Sequence, residues 1–176
     1  MPASLYDATV PTYTRALNAF LAILDKAEAH AAAAKFDPQI YVTMRLRPDM
    51  YHFARQVQAF CDQAKIACHR LAGLEWPRDE DTETTLDELR ARIRRTLERI
   101  AAIDPKAIDA GAEREVAVPI GGGRKAMMPG AVFLNHFGLP NFYFHLTTAY
   151  DILRYAGAPI GKRDFIGRPP VDVTAD

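Results

Sequence analysis

The stretch NFYFHLTTAYDIL, residues 141–153, is apolar and aromatic apart from a few positions, among them Asn141, His145 and Thr148. These three recur at intervals of four and three, so on an α-helix turning about 100° per residue they share one narrow face with Ile152. An imidazole there can exchange a proton near neutral pH or bind a metal through one ring nitrogen, and an amide and a hydroxyl beside it can orient a ligand. The same groups can instead hydrogen-bond a neighbouring helix and specify its packing. Either role requires the face to point inward.

Other polar positions are weighed in the same way. His136 lies nine residues before His145, about 13 Å along a straight helix and on its opposite face, so the two share an ion only if Pro140 breaks the helix. Tyr51, Arg55, Gln58, Asp62, Lys65 and His69 form a continuous stripe, read as a solvated face or as one wall of a polar cleft, with Asp62 and Lys65 spaced to pair. Gln56 lies near the other border of that helix and can point into the bundle. His52, His69 and His30 are read as solvated. Arg90, Arg92, Arg94, Arg95 and Arg99 are interleaved with Glu83, Asp87, Glu88 and Glu98, which predicts a solvated face and not a nucleic-acid site. The run IGGGRK lacks the GK[ST] of a phosphate-binding loop, and no CxxC, HExxH or GxSxG occurs.

The elements that must position these residues are legible from periodicity. Val10, Tyr13, Leu17, Phe20, Leu24, Ala27, Ala31 and Ala34 mark one buried helical stripe, in a helix over about 4–34, with Pro11 near its start. Met50, Ala54, Val57, Cys61, Ala64, Cys68 and Leu71 mark a second over about 48–72, with Pro48 at its first position and Gly73 at its end. After the polar break LEWPRDEDTETT, Thr84 with Asp87 or Thr85 with Glu88 offers a capping box for a third helix over about 84–103. REVAVPI, GGG and RKAMM read as a hairpin over about 114–128. A fourth helix follows over about 130–156, bent or interrupted near Gly138 and Pro140, and residues 158–176 read as an extended tail.

With 176 residues, 49 % of them hydrophobic, the chain suits one domain spanning 1–176 with a core that needs no staples. Twenty-two Lys and Arg balance 22 Asp and Glu, so no overall field draws it to nucleic acid or an anionic membrane. Polar interruptions through residues 131–153 exclude a membrane span. The start of the chain shows no export signal. Cys61 and Cys68, on one helix about 10 Å apart, are beyond disulfide reach and fit a cytoplasmic protein.

The segments LDKAEAHA, RLRPDM with RQVQ, DTETT, the GGG hairpin, NFYFHLTTAYDILR and GKRDFIG resemble a bacterial family, domain of unknown function nineteen-ninety-three, in the DinB/YfiT-like superfamily; the likeness runs from about Tyr6 to Gly167. It implies an all-α DinB-like four-helix bundle of up-down-down-up course, with a small β-hairpin before the last helix and frequent homodimers. Many superfamily members hold a divalent metal by three histidines, one on helix two and an HxxxH pair on helix four, and some are thiol-dependent transferases or isomerases. Here the pair reads Asn141 and His145, and Gln56, or less well oriented His52, matches the helix-two histidine. The pocket candidates are therefore Gln56, Asn141, His145, Thr148, Asp62 and His52, with His145 the candidate catalytic group and the ligand for any zinc or nickel. Three functions follow: small-molecule binding between helices two and four, a metal- or thiol-dependent enzyme with a degenerate site, or a dimeric scaffold.

Overall fold

Ser4 starts the first helix by a reciprocal cap: its hydroxyl accepts from the Asp7 amide, and the Asp7 carboxylate accepts from the Ser4 amide. In the computed structural model, which describes residues 4–168, this helix, α1, runs Leu5–Ala34 without interruption through Pro11. Its stripe from Val10 to Ala31 is buried, whereas Ala34 at the helix end is exposed. The connection that follows contains a short helix, α2 (Ile40–Thr43). The second long helix, α3 (Phe53–Ala72), begins not at Pro48 but after His52, which adopts extended backbone and places its Nδ1 3.3 Å from the Arg55 amide. Gly73, at φ 72°, ends it in the left-handed conformation that glycine adopts without strain.

Thr85 and Glu88 form the capping box of α4 (Leu86–Ala101), and α5 (Pro105–Asp109) follows it as a further short helix where the sequence suggests only a stop. The antiparallel hairpin is β1 (Glu115–Pro119) and β2 (Lys125–Pro129). From it emerge α6 (Gly130–Phe133), a π-helical turn (Leu134–Gly138) and α7 (Leu139–Tyr155), one continuous helical rod. The irregularity near Pro140 is thus a widened turn and not a break. In an α-helix the proline ring would strike the carbonyl of His136. Instead the Leu139 amide reaches back five residues to the Leu134 carbonyl.

The expected extended tail is corrected. Residues 162–166 form α8 (Lys162–Ile166), whose Asp164 carboxylate accepts from the Gly161 amide at 2.8 Å and pairs with Lys26 at 2.6 Å. Local capping outweighs the weak periodicity there. The remainder of that expected tail, residues 169–176, lies outside the described residues.

The course of the four long helices follows from one connection. Residues 74–85 run back along α3 as an extended strap: Asp79 meets Lys65 at 2.5 Å and Arg99 at 2.6 Å, Asp81 meets Arg55, and Glu83 meets Gln58 at 3.0 Å. An extended chain at about 3.4 Å per residue easily covers the roughly 30 Å of a 20-residue helix. Alternate residues of an extended chain face one way, which is why 79, 81 and 83 all turn to the helices. Returned to the start of α3, the chain enters α4 parallel to it, the two like-directed helices of an up-down-down-up bundle. Helix α3 packs most extensively against α7 and α4. Phe20, Phe60, Phe142 and Tyr13 join α1, α3 and α7 by edge-on aromatic contacts, Tyr13 to Phe142 at 4.7 Å and Phe20 to Phe60 at 4.9 Å.

The strap also corrects the reading of two polar faces. Arg92 is fully buried, with Asp62 at 3.0 Å, Glu83 at 3.1 Å and Asp81 at 3.3 Å around it; Arg90 is buried against Glu28 at 2.6 Å. Gln58, Lys65 and His69 are likewise buried, and His52 and His30 are half-buried, the latter 2.8 Å from the Tyr41 hydroxyl. The polar stripe of α3 is therefore a covered wall, and Asp62 and Lys65 pair at 3.0 Å within it. Periodicity marked these residues as away from the apolar core, but a second, ionic layer covers them.

Burial alone would raise the Asp79 carboxyl, but hydrogen bonds from Lys65 and Arg99 and the charge of Arg92 overcome that and hold it at about 2. A depressed carboxylate stabilises the fold above its ordinary value near 4 and loses that contribution as pH falls toward 2. Acid unfolding should therefore steepen between about pH 4 and 2, and Asp79→Asn should flatten that part of a stability curve measured by urea titration. Arg92→Ala, which leaves Asp62 and Glu83 without their buried cation, should cost about 3–5 kcal/mol in the same measurement at pH 7.

Candidate functional site

The contact between α3 and α7 brings Gln56 and His145 together. Gln56 is 2 % exposed, and its Oε1 lies 2.7 Å from His145 Nδ1. The Gln56 amide nitrogen donates to the Tyr51 carbonyl at 3.3 Å, so the oxygen is the end that faces the imidazole. An amide oxygen only accepts, which requires the hydrogen to sit on Nδ1. In the neutral ring Nε2 then carries the free lone pair. Burial, and secondarily the Arg55 charge, lower the proton affinity of His145 below that of an ordinary imidazole.

Aromatic rings frame this imidazole. The Tyr51 ring lies nearly parallel to it, 16° between planes with centroids 6.2 Å apart, and Phe144 meets it edge-on at 5.2 Å. Arg55 stands over Tyr51, 5.4 Å from the ring centre, and is itself tied to Asp81 of the strap. Tyr51 and Phe144 are both well exposed, so the half-buried His145 sits at the edge of an open aromatic surface. Tyr51 and Arg55 were legible only as members of a polar stripe. That Tyr51 precedes α3 and stacks on His145 depends on the cap at His52, which periodicity does not encode.

The remaining candidates separate. Asn141, one turn before His145, is half-buried, and its side chain has no hydrogen-bond partner among the described residues. Thr148 is buried, but its hydroxyl turns back to the Phe144 carbonyl at 2.7 Å and is satisfied within its own helix. Asp62 belongs to the ionic layer around Arg92. The His52 Nδ1 lies 3.3 Å from the Arg55 amide and 3.2 Å from the Val42 carbonyl. One nitrogen cannot accept and donate at once, so one tautomer caps α3 and the other ties it to Val42. His136 is exposed.

Gln56, Asn141 and His145, the positions that the resemblance pairs with the superfamily's histidines, present one imidazole and two uncharged amides. One of those amides already accepts the imidazole N–H. Among the described residues no three His, Cys, Asp or Glu side chains converge as a metal site. Amide oxygens are weak ligands for zinc or nickel compared with imidazole, and this donor set does not fit either ion.

Four long helices with the strap-like crossover and a hairpin before the last helix define a DinB-like helical bundle. The chain is similar to the crystal structure of a DinB family member protein from Shewanella denitrificans, with 38 % identity, a TM-score of 0.89, and 97 % of this chain and 96 % of that one covered. The family model for the domain of unknown function DUF1993 matches residues 5–166, and the chain belongs to that family. A search of curated proteins finds no match.

The imidazole should titrate below the ordinary value near 6.5 when followed by ring-proton NMR, and Arg55→Gln should move its midpoint upward. Because the folded proton affinity is the lowered one, the group favours folding above about pH 6.5 and that contribution is lost as pH falls through the folded midpoint. An unshifted His145 midpoint would contradict the burial described.

Proposed function

We propose that the protein binds a small molecule on the surface formed by α3 and α7, without a tightly bound metal, and that His145 Nε2 recognises a proton-donating group of that ligand. The observation that carries this reading is the 2.7 Å contact between Gln56 and His145, which fixes the tautomer and leaves the Nε2 lone pair without a partner among the described residues. A group held this way loses little freedom when a hydroxyl, thiol or acid approaches it. The exposed rings of Tyr51 and Phe144 offer an apolar bed for the rest of the ligand, and Asn141 supplies both a donor and an acceptor.

A second reading rests on the same arrangement. A neutral imidazole whose far nitrogen is anchored by an oxygen acceptor is poised as a general base, which suits removal of a proton from a thiol in a transferase or isomerase. Gln56 is then a positioning residue and Asn141 orients substrate or water. A homodimer is supported by Tyr155, 77 % exposed, which lies about three turns along α7 from Phe144 and the ligand surface. The free, buried Cys61 and Cys68 suit the reducing cytoplasm, and among the described residues no helix is long and apolar enough to cross a membrane.

Screening thiols, hydroxy acids and amino acids by thermal denaturation should yield compounds that raise the Tm of the protein by about 2–4 °C, with the shift lost in His145→Ala. A shift that persists in His145→Ala moves the ligand to another part of the molecule. Zinc or nickel bound near one equivalent by elemental analysis, and lost in His145→Ala, replaces this reading with the metalloenzyme.

A further inference from the structure

At the far end of α3 from His145 lies a separate concavity of about 380 Å³, bounded by the end of that helix, the start of the strap and the hairpin. Its cations are Arg70, Arg114 and Lys125, and among the described residues Glu115 is the one carboxylate in its wall. Trp76, Leu74, Val116 and Pro119 add apolar surface.

Arg70 is the residue that the fold leaves unexplained. Its guanidinium stands over Trp76, 5.0 Å from the ring centre, and over Phe133 at 5.6 Å, so aromatic rings hold it in place. It is half-buried, yet among the described residues no carboxylate pairs with it and its side chain has no hydrogen-bond acceptor. The contrast with Arg90 and Arg92 is plain, since both are surrounded by carboxylates at 3.3 Å or less. Arg114 donates to the Leu71 carbonyl and is thereby held against the helix end at Gly73. Lys125 projects from the exposed strand β2, with no carboxylate partner among the described residues. A guanidinium held against aromatic rings with its donors free is suited to a bidentate oxyanion.

We propose that this concavity is a second ligand site, independent of His145, which takes a small organic anion: a phosphate or carboxylate on Arg70, with Arg114 and Lys125 beside it, and an apolar body against Trp76. The volume suits a compound of one ring and not a polymer. The two possible oxyanions share this chemistry, and separate probes distinguish them.

Trp76 is the sole tryptophan of the chain, so its fluorescence reports on the surroundings of this ring and not on those of His145. Titration of the full chain with phenyl phosphate, benzoate and inorganic phosphate at low ionic strength should give a saturable change with phenyl phosphate or benzoate, the tighter of the two naming the oxyanion. Inorganic phosphate, lacking the apolar body, should bind about tenfold more weakly than phenyl phosphate. Arg70→Gln should weaken the tighter probe about tenfold or more, and Lys125→Gln, on an exposed strand where folding is not at stake, about two- to fivefold. His145→Ala should leave the titration unchanged, which separates this site from the function proposed above. No saturable change with any probe, equal affinity for inorganic and phenyl phosphate, or unaltered binding in both Arg70→Gln and Lys125→Gln overturns the proposal.

Discussion

The buried guanidinium of Arg92 is the constraint around which the bundle is arranged. A charge with no exposed surface is tolerated only with its hydrogen-bond partners in place, and those partners come from α3 through Asp62 and from the strap through Asp81 and Glu83. Holding the strap in turn holds α3 and α4 parallel, which an ordinary short loop would not do. Both sides of α3 are consequently committed, one to the ionic layer and one to α7. Arg55 lies where the two meet: it binds Asp81 of the strap and its charge is felt at His145.

This dual commitment explains what the sequence disclosed and what it hid. Apolar periodicity located α1, α3, α4 and the rod ending in α7, because burial against a common core imposes it on every long helix. The Thr85 and Glu88 capping box and the glycine hairpin were local signals and stood where the residues put them. Hidden were the features decided by tertiary contact. Arg92 looks like Arg94 and Arg95 along the chain, and only the strap distinguishes them. A usable signal existed in Asp79, Asp81 and Glu83, whose alternation suits an extended segment laid along a basic surface.

At the α3–α7 seam the shared face of Asn141 and His145 was read from their spacing, and Gln56 was paired with it through the resemblance; the structure puts Gln56 against His145. The tautomer was not, because it depends on which end of the Gln56 amide faces the ring, and that is decided by the carbonyl of Tyr51. Membership of the DUF1993 family, together with the likeness to a DinB family member, accounts for the geometry without supplying a metal-binding donor set. His145 is anchored at Nδ1 by Gln56 and has Asn141 one turn away on its own helix.

The π-helical turn before Pro140 also acts as a phase shifter. One additional residue in a helix rotates everything downstream by about 100° relative to an uninterrupted α-helix. Phe142, Leu146, Ala149 and Leu153 aim at the core, and His145 at Gln56, only because that offset is present. The azimuth of the imidazole is thus set by a turn upstream of α7, so a chain that straightened this turn would have to re-pattern the whole of α7 to keep the same seam.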